Sequence, residues 1–220
     1  MPTILWDWNG TLVDDVALTV QINREVFESR GYPPVTVEAY RRMFRFPVRD
    51  YYRDLGVSDA DFPEVAAAWN TGYMQTFGPQ VPLFPDAVET VRRFREAGFR
   101  QAIVSLSRHD QLLYQIRCYP GLEPLFDEIC GTRDFYADSK VAMALDFMRR
   151  FHADPADTVF LGDTCHDAEV AGAIGCRCIL IRGGHQADSS LAGAHAELAD
   201  SRRSAADRLL SSRKEADSSV

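Results

Sequence analysis

Short apolar runs recur along the chain, and each gives way to a stretch whose apolar residues return every three or four positions. Thr3–Trp6, Ala102–Val104, Thr158–Leu161 and Cys178–Ile181 have the length of strands, and Phe126–Cys130 is a weaker fifth. Continuous apolar strands belong to sheets covered on both faces. After the second run, Leu112, Leu113 and Ile116 share one helical face. After Thr158–Leu161, Ala168, Ala171 and Ile174 share another, and Gly175 then stops the helix. Strand followed by helix, repeated, predicts an α/β fold with a Rossmann-like, doubly wound parallel sheet.

The alternation breaks once. Between Asp15 and Pro82 no strand-like run occurs, and the pattern predicts about four helices: 17–30 ending at Gly31, 36–44 after a Thr36 cap, 48–55 ending at Gly56, and 60–77 ending at Gly78. The sheet pattern resumes at Pro85-Asp86 with a helix carrying Val88, Val91 and Phe94 and closed by Gly98. The expected organisation is an α/β core of residues 1–15 and 82–188, a small helical insertion of 16–81, and a C-terminal segment, 189–220. That segment is rich in Ala, Ser, Asp and Arg and reads as a weakly ordered tail, with Leu209-Leu210 marking a short helix.

Bulk properties narrow the function classes. A length of 220 residues suits one domain with an insertion. A net charge of −8 argues against a nucleic-acid or membrane-surface binder. It leaves an anionic substrate open, because a metal ion can dominate the field inside one cleft. The five cysteines, Cys118, Cys130, Cys165, Cys176 and Cys178, are odd in number and form no CxxC pair, which predicts free thiols in a reducing cytoplasm. No signal peptide and no run of 18 apolar residues is found, so neither export nor a membrane span is expected.

Four groups stand at the carboxyl ends of candidate strands, where parallel sheets bind ligands. They are Asp7 with Asn9 in DWNGT, Ser105 in AIVSLS, Lys140 in ADSK, and Asp163 with Asp167 in GDTCHD. Acidic oxygens without histidine or cysteine ligands suit Mg²⁺. A lysine and a small hydroxyl suit phosphate oxygens. An aspartate beside them can attack phosphorus and form an aspartyl-phosphate, and the Gly10-Thr11 step can offer backbone N–H groups to an anion.

On these motifs, the chain through about residue 185 resembles the haloacid dehalogenase superfamily, most of whose members are Mg²⁺-dependent phosphatases. The family's first motif reads DxDGT with a hydrophobic continuation, against DWNGTLV here. Its second is a Ser or Thr ending a strand, matched by Ser105. Its third is a Lys at a helix start, matched by Lys140, and its fourth is GDxxxD, matched by Gly162, Asp163 and Asp167. The resemblance implies that the helical insertion is a cap of the phosphoglycolate-phosphatase-like kind. It implies Asp7 as nucleophile and metal ligand, Asn9 as a ligand through its backbone carbonyl, and Asp163 as the third ligand. Asp167 would support the metal waters and Lys140, while Ser105 and Lys140 hold the phosphoryl group; Gly10 and Thr11 complete the loop. The expected substrate is a small phosphorylated metabolite, handled by a monomer or homodimer.

Position 9 departs from the family. The second aspartate ordinarily protonates the leaving oxygen and later activates water; Asn9 cannot move a proton. General acid–base catalysis contributes about 10² to 10⁴ in rate, so the departure implies a slowed or specialised phosphatase, with His109, His166 or a water as stand-ins for the missing acid. Asn9-Gly10 is also a pair prone to deamidation. Other readings stay open: a metal-independent dehalogenase-like hydrolase, or a non-catalytic protein that binds a phospho-ligand. Ser107 competes with Ser105, which is preferred because it directly ends the apolar run. Arg45, in Phe44-Arg45-Phe46-Pro47, suits an anionic leaving group and equally an exposed surface. Cys165 and His166 read as loop residues, and Trp8 as packing.

Overall fold

All four residues of β1 (Thr3–Trp6) are buried, because helices cover both sides of the sheet that it enters. Ile4 and Trp6 face one core and Leu5 faces the other, as alternation along a strand requires. The computed structural model describes residues 1–133 and 139–217. Within them β1 pairs with β2 (Arg100–Arg108) and β4 (Thr158–Gly162); β3 (Glu128–Thr132) lies beyond β2, and β5 (Arg177–Ile181) and β6 (Glu197–Ala199) lie beyond β4. Every pairing is parallel, in the order β3-β2-β1-β4-β5-β6. The expected parallel α/β architecture is therefore the observed one.

Four helices fill the stretch after β1: α1 (Val16–Glu28), α2 (Val37–Met43), α3 (Val48–Asp54) and α4 (Phe62–Thr76). Thr36 caps α2 by accepting from Ala39 N at 3.1 Å. Their shared interior is aromatic, with Phe27, Tyr40, Tyr51, Tyr52 and Tyr73 buried; edge-to-face pairs such as Tyr40–Tyr51 at 5.6 Å fix the packing. The insertion docks on the loop after β5. Arg41 Nε and Nη2 donate to the carbonyls of Gly184 and Gly183 at 2.9 and 2.8 Å, and Gln186 Nε2 donates to Phe44 O at 2.9 Å.

The chain then alternates: α5 (Ala87–Glu96) before β2, α6 (His109–Arg117) after it, α7 (Lys140–Phe151) before β4, α8 (Cys165–Ile174) after β4, and α9 (Asp188–Leu191) before β6. Val91, Phe94, Leu112 and Ile116 of α5 and α6 cover the Trp6 face; Ala144, Phe147, Val170 and Ile174 of α7 and α8 cover the Leu5 face.

The segment from 189 departs from the expected loose tail. It supplies β6, which extends the sheet, and α10 (Arg202–Asp217), whose Ala205, Ala206 and Leu209 are buried against the Trp6 face. Small alanines among polar residues carry a weak apolar signal, and a three-residue strand carries almost none. Their burial is set by the surfaces they meet. The last three residues, 218–220, lie outside the described part. No described helix is long and apolar enough to cross a membrane.

Candidate active site

Register brings the predicted residues together. Trp6 lies opposite Ile103 on one side and Leu161 on the other, and Asp7 N donates to Leu161 O at 2.8 Å. Asp7, Ser105 and Asp163 therefore lie toward the carboxyl ends of neighbouring strands, where the order of strand addition reverses between β1 and β4. Lys140 opens α7, whose cap Ser139 accepts from Ala142 N at 3.0 Å; Ala137 and Asp138 of the ADSK motif lie outside the described residues. Lys140 Nζ stands 2.6 Å from Asp7 Oδ1 and 2.6 Å from Asp167 Oδ1. Asp167 Oδ2 accepts from Asp163 N, Thr164 N and Thr164 Oγ1 at 3.1, 3.0 and 2.8 Å, closing a capping box at the start of α8. Asp163 accepts from Thr11 Oγ1 at 2.8 Å and from His185 N at 2.6 Å.

Gly10 makes this closeness possible. Its φ is +70°, and a Cβ there would overlap both the Asp163 carboxylate and the His185 ring.

The cluster is electrostatically incomplete. Carboxylate oxygens of Asp7, Asp163 and Asp167 lie within 4.8 Å of one another, and the lysine set between two of them carries a single positive charge. Burial, with smaller contributions from Asp167 and Asp163, pushes Asp7 up to about 8 against the pull of Lys140. Burial likewise raises Asp163. For Asp167 the burial penalty is outweighed by Lys140, and its carboxyl titrates below the usual range. For Lys140 the burial penalty is outweighed by Asp167 and Asp7, which hold it above the ordinary lysine range. A hard divalent cation fits this donor set: it takes oxygen ligands and offsets the excess negative charge.

Asn9 belongs to a different and saturated network. Its Nδ2 donates to Asp15 Oδ2 at 2.8 Å and to Tyr73 Oη at 2.9 Å, and its Oδ1 accepts from Ser107 Oγ at 2.9 Å. Asp15 is acceptor-only, so the amide orientation is determined. Tyr73 also donates to Asp15 Oδ2 at 2.7 Å, and Gly10 N donates to Asp15 Oδ1 at 3.0 Å. His185 Nε2 lies 3.1 Å from Asp15 Oδ1, and its Nδ1 lies 2.7 Å from Tyr40 Oη. Burial disfavours the His185 charge, but Asp15 outweighs it and lifts the imidazole to about 9; Asp15 in turn is held below the usual carboxylate range, chiefly by His185. Both N–H donors of Asn9 are thus occupied within the protein. Deamidation would need Gly10 N to attack the Asn9 carboxamide, and both groups are pinned.

The other expected residues divide. Ser105 is buried inside β2, which runs on to Arg108, and its Oγ accepts from Ser107 N at 3.1 Å. Ser107 is the serine that touches Asn9. His109, considered as a substrate contact and as a stand-in for the acid, is exposed at the first position of α6, because the strand continues past the serines and turns there. Arg45 is exposed and pairs with Asp54 at 2.9 Å; it also borders a cavity of about 260 Å³ between α2 and α8 with Arg42, Phe46 and His166. Phe46 packs on the His166 ring at 4.7 Å. Trp8 is fully buried and its indole donates to Gln115 Oε1 at 2.8 Å. Sequence reading missed Asp15, Tyr73, Tyr40 and His185. A histidine just beyond β5, in GGHQ, was the available signal for the last of these; the tyrosines gave none.

A profile described as haloacid dehalogenase-like hydrolase matches residues 4–181. A phosphoglycolate phosphatase of Synechococcus elongatus is 24% identical over 197 residues, 88% of this chain and 90% of that one. A phosphoglycolate phosphatase of Aliivibrio fischeri is 25% identical over 198 residues, 83% of this chain and 84% of that one. The solved structure of a haloacid dehalogenase-like family protein from Streptococcus pneumoniae superposes with a TM-score of 0.80 at 18% identity, covering 95% of this chain and 98% of that one.

Proposed function

The chain belongs to the haloacid dehalogenase-like hydrolase family, and from that premise we propose that it hydrolyses a small phosphoric monoester with Mg²⁺, through an aspartyl-phosphate on Asp7. The observation that carries this reading is Lys140, 2.6 Å from both Asp7 and Asp167, beside a third carboxylate at metal-binding distance.

Lys140 holds Asp7 Oδ1, and Asp7 attacks phosphorus through Oδ2. A P–O bond forms to Asp7 as the bond to the leaving oxygen breaks. Lys140 and the Ser105 hydroxyl balance charge on the transferring phosphoryl group. Mg²⁺, held by Asp7, Asp163 and the Asn9 main-chain carbonyl, would supply further charge neutralisation when bound. Water then attacks the aspartyl-phosphate, releasing inorganic phosphate and restoring the Asp7 carboxylate.

With both Asn9 donors occupied, Asn9 does not protonate the leaving oxygen. Substrates with weakly basic leaving groups, aryl and acyl phosphates, therefore react fastest, and turnover is slower than with an acid in place by about 10² to 10⁴. The helical insertion acts as the cap over the leaving group, with Arg45 and the cavity beside His166 at its border.

The test is hydrolysis of para-nitrophenyl phosphate and of a panel of metabolite phosphates with Mg²⁺ or with EDTA, in the wild type and Asp7→Asn. Mg²⁺-dependent turnover that Asp7→Asn abolishes supports the reading, as does conversion of residue 7 to homoserine, with release of phosphate, when the acid-quenched enzyme is reduced with borohydride. Activity in EDTA on a haloacid would identify a metal-independent dehalogenase instead. Phosphate and Mg²⁺ binding without turnover would identify a binding protein.

A further inference from the structure

Arg202 reaches the loop carrying Asp7 from a segment beyond the matched family region, which ends at residue 181. It is the first residue of α10, and its side chain is buried. Its Nε donates to the Thr11 carbonyl at 2.5 Å, and its Nη2 donates to the Gly10 carbonyl at 3.3 Å. The guanidinium lies 3.4 Å from the centre of the Phe84 ring, with the Asp86 carboxylate 3.8 Å away.

The shape of the loop creates the need for this group. Residues 8–13 turn so tightly that the N–H groups of Thr11, Leu12 and Val13 all point at Trp8 O, at 3.3, 2.9 and 3.1 Å. In a planar peptide the carbonyl points opposite to the N–H. The Gly10 and Thr11 carbonyls therefore point the other way, as do the unpaired carbonyls at a helix end. Gly10 and Thr11 are both buried, and acceptors left unpaired in such a place are costly. A cationic side chain with several donors in a rigid fork fits two neighbouring carbonyls. On the opposite side, the Thr11 hydroxyl donates to Asp163 at 2.8 Å. The loop is thus gripped from both sides, by Asp163 above and Arg202 below.

We propose that Arg202 is a positioning residue for phosphoryl transfer: from α10 it clamps the Gly10 and Thr11 carbonyls and so sets Asp7 and Thr11 against Asp163. The proposal rests on the function assigned above to Asp7. It gives the C-terminal helix a role in catalysis without any contact with substrate.

The test compares the full-length wild type with Arg202→Gln and Arg202→Lys. Steady-state kinetics on para-nitrophenyl phosphate with Mg²⁺ are read together with hydrogen–deuterium exchange of the peptide spanning residues 8–13. Because small misplacements of reacting groups are amplified in rate, Arg202→Gln is expected to lower kcat by about 10- to 100-fold with KM changed by less than about threefold. Arg202→Lys, which keeps the charge but loses the fork, is expected to fall between. Exchange at Leu12 and Val13 accelerates in both variants, while the α3 peptide is unchanged. Unaltered loop exchange, or a kcat within about twofold of wild type alongside a lowered Tm, would overturn the proposal and leave Arg202 as a staple for α10 alone. Should Arg202→Gln fail to fold, Arg202→Lys decides. Should the wild type hydrolyse no phosphate ester, the functional reading fails, while loop exchange still tests the clamp.

Discussion

Two buried polar clusters stand side by side at the carboxyl edge of the sheet. The first comprises Asp7, Lys140, Asp163 and Asp167; the second comprises Asn9, Asp15, Tyr73, Ser107, His185 and Tyr40. In the first, three carboxylates lie within 4.8 Å of one another and one lysine pairs with two of them, while burial lifts Asp7 to about 8. In the second, the Asp15 carboxylate is matched by His185 and by donors from Asn9, Tyr73 and Gly10, and each side-chain N–H of Asn9 has a partner. An unbalanced cluster attracts a ligand, and a satisfied one holds structure. The difference separates the carboxylate cluster from Asn9, whose amide is held inside the protein. Asn9 ties the loop after β1 to α4, a helix of the insertion.

The largest effect is expected where the unbalanced cluster loses its lysine. Lys140→Met leaves three buried carboxylates without their cation and should cost about 3–5 kcal/mol of stability in EDTA. Mg²⁺ should restore part of this, because it offsets the same charge. Thermal melts of both proteins with and without Mg²⁺ check it; a loss indifferent to Mg²⁺ would mean that the cluster does not face a cation.

Asn9→Asp strikes the second cluster. It sets a carboxylate within hydrogen-bonding distance of Asp15 Oδ2, removes two donors, and should cost about 1–3 kcal/mol near pH 8. Two such carboxylates share a proton, so their joint pKa is raised and the deficit shrinks toward pH 5. Denaturant unfolding at the two pH values measures this. A variant as stable as wild type at pH 8 would show that the network does not constrain residue 9.

His185→Gln is milder and depends on pH. The folded-state pKa of His185 is raised from 6.5 to about 9. Its ion pair with Asp15 therefore stabilises fully below about pH 6.5, and that contribution is lost as pH rises through 9. The Tm gap between wild type and His185→Gln, measured in EDTA, should be widest near pH 6.5 and narrow by pH 9.5. A constant gap would locate the role of His185 in packing against Phe44 and Tyr40. The smallest effect belongs to His109→Ala. This residue is exposed, and its loss should leave stability within about 0.5 kcal/mol and the pH–rate profile on aryl phosphates unmoved.

The two clusters also differ in how far they could be read. Asp7 and Asp163 stand where apolar runs end, Asp167 follows Asp163 by four positions in GDTCHD, and Lys140 begins a periodic stretch, so the local pattern marks every member. Asp15, Tyr73 and His185 are joined only through space. Tyr73 looks like any aromatic on a helical face, and nothing in GGHQ says that its histidine meets an aspartate 170 positions away. His109 illustrates the opposite case. Its distance from Ser105 suggested the cleft, but β2 runs on past the serine, and α6 starts with its first side chain exposed.

By itself, the sequence determined the parallel α/β sheet, the helical insertion and the four motifs at the sheet edge. Each of these rests on short-range periodicity, which depends on residues a few positions apart. Tertiary structure decided the rest: which carboxylate oxygens converge, that Asn9 is bound away inside the protein, and that a segment resembling a loose tail delivers Arg202 beneath the loop after Asp7. These depend on which buried groups find partners, and burial exists only once distant elements have packed.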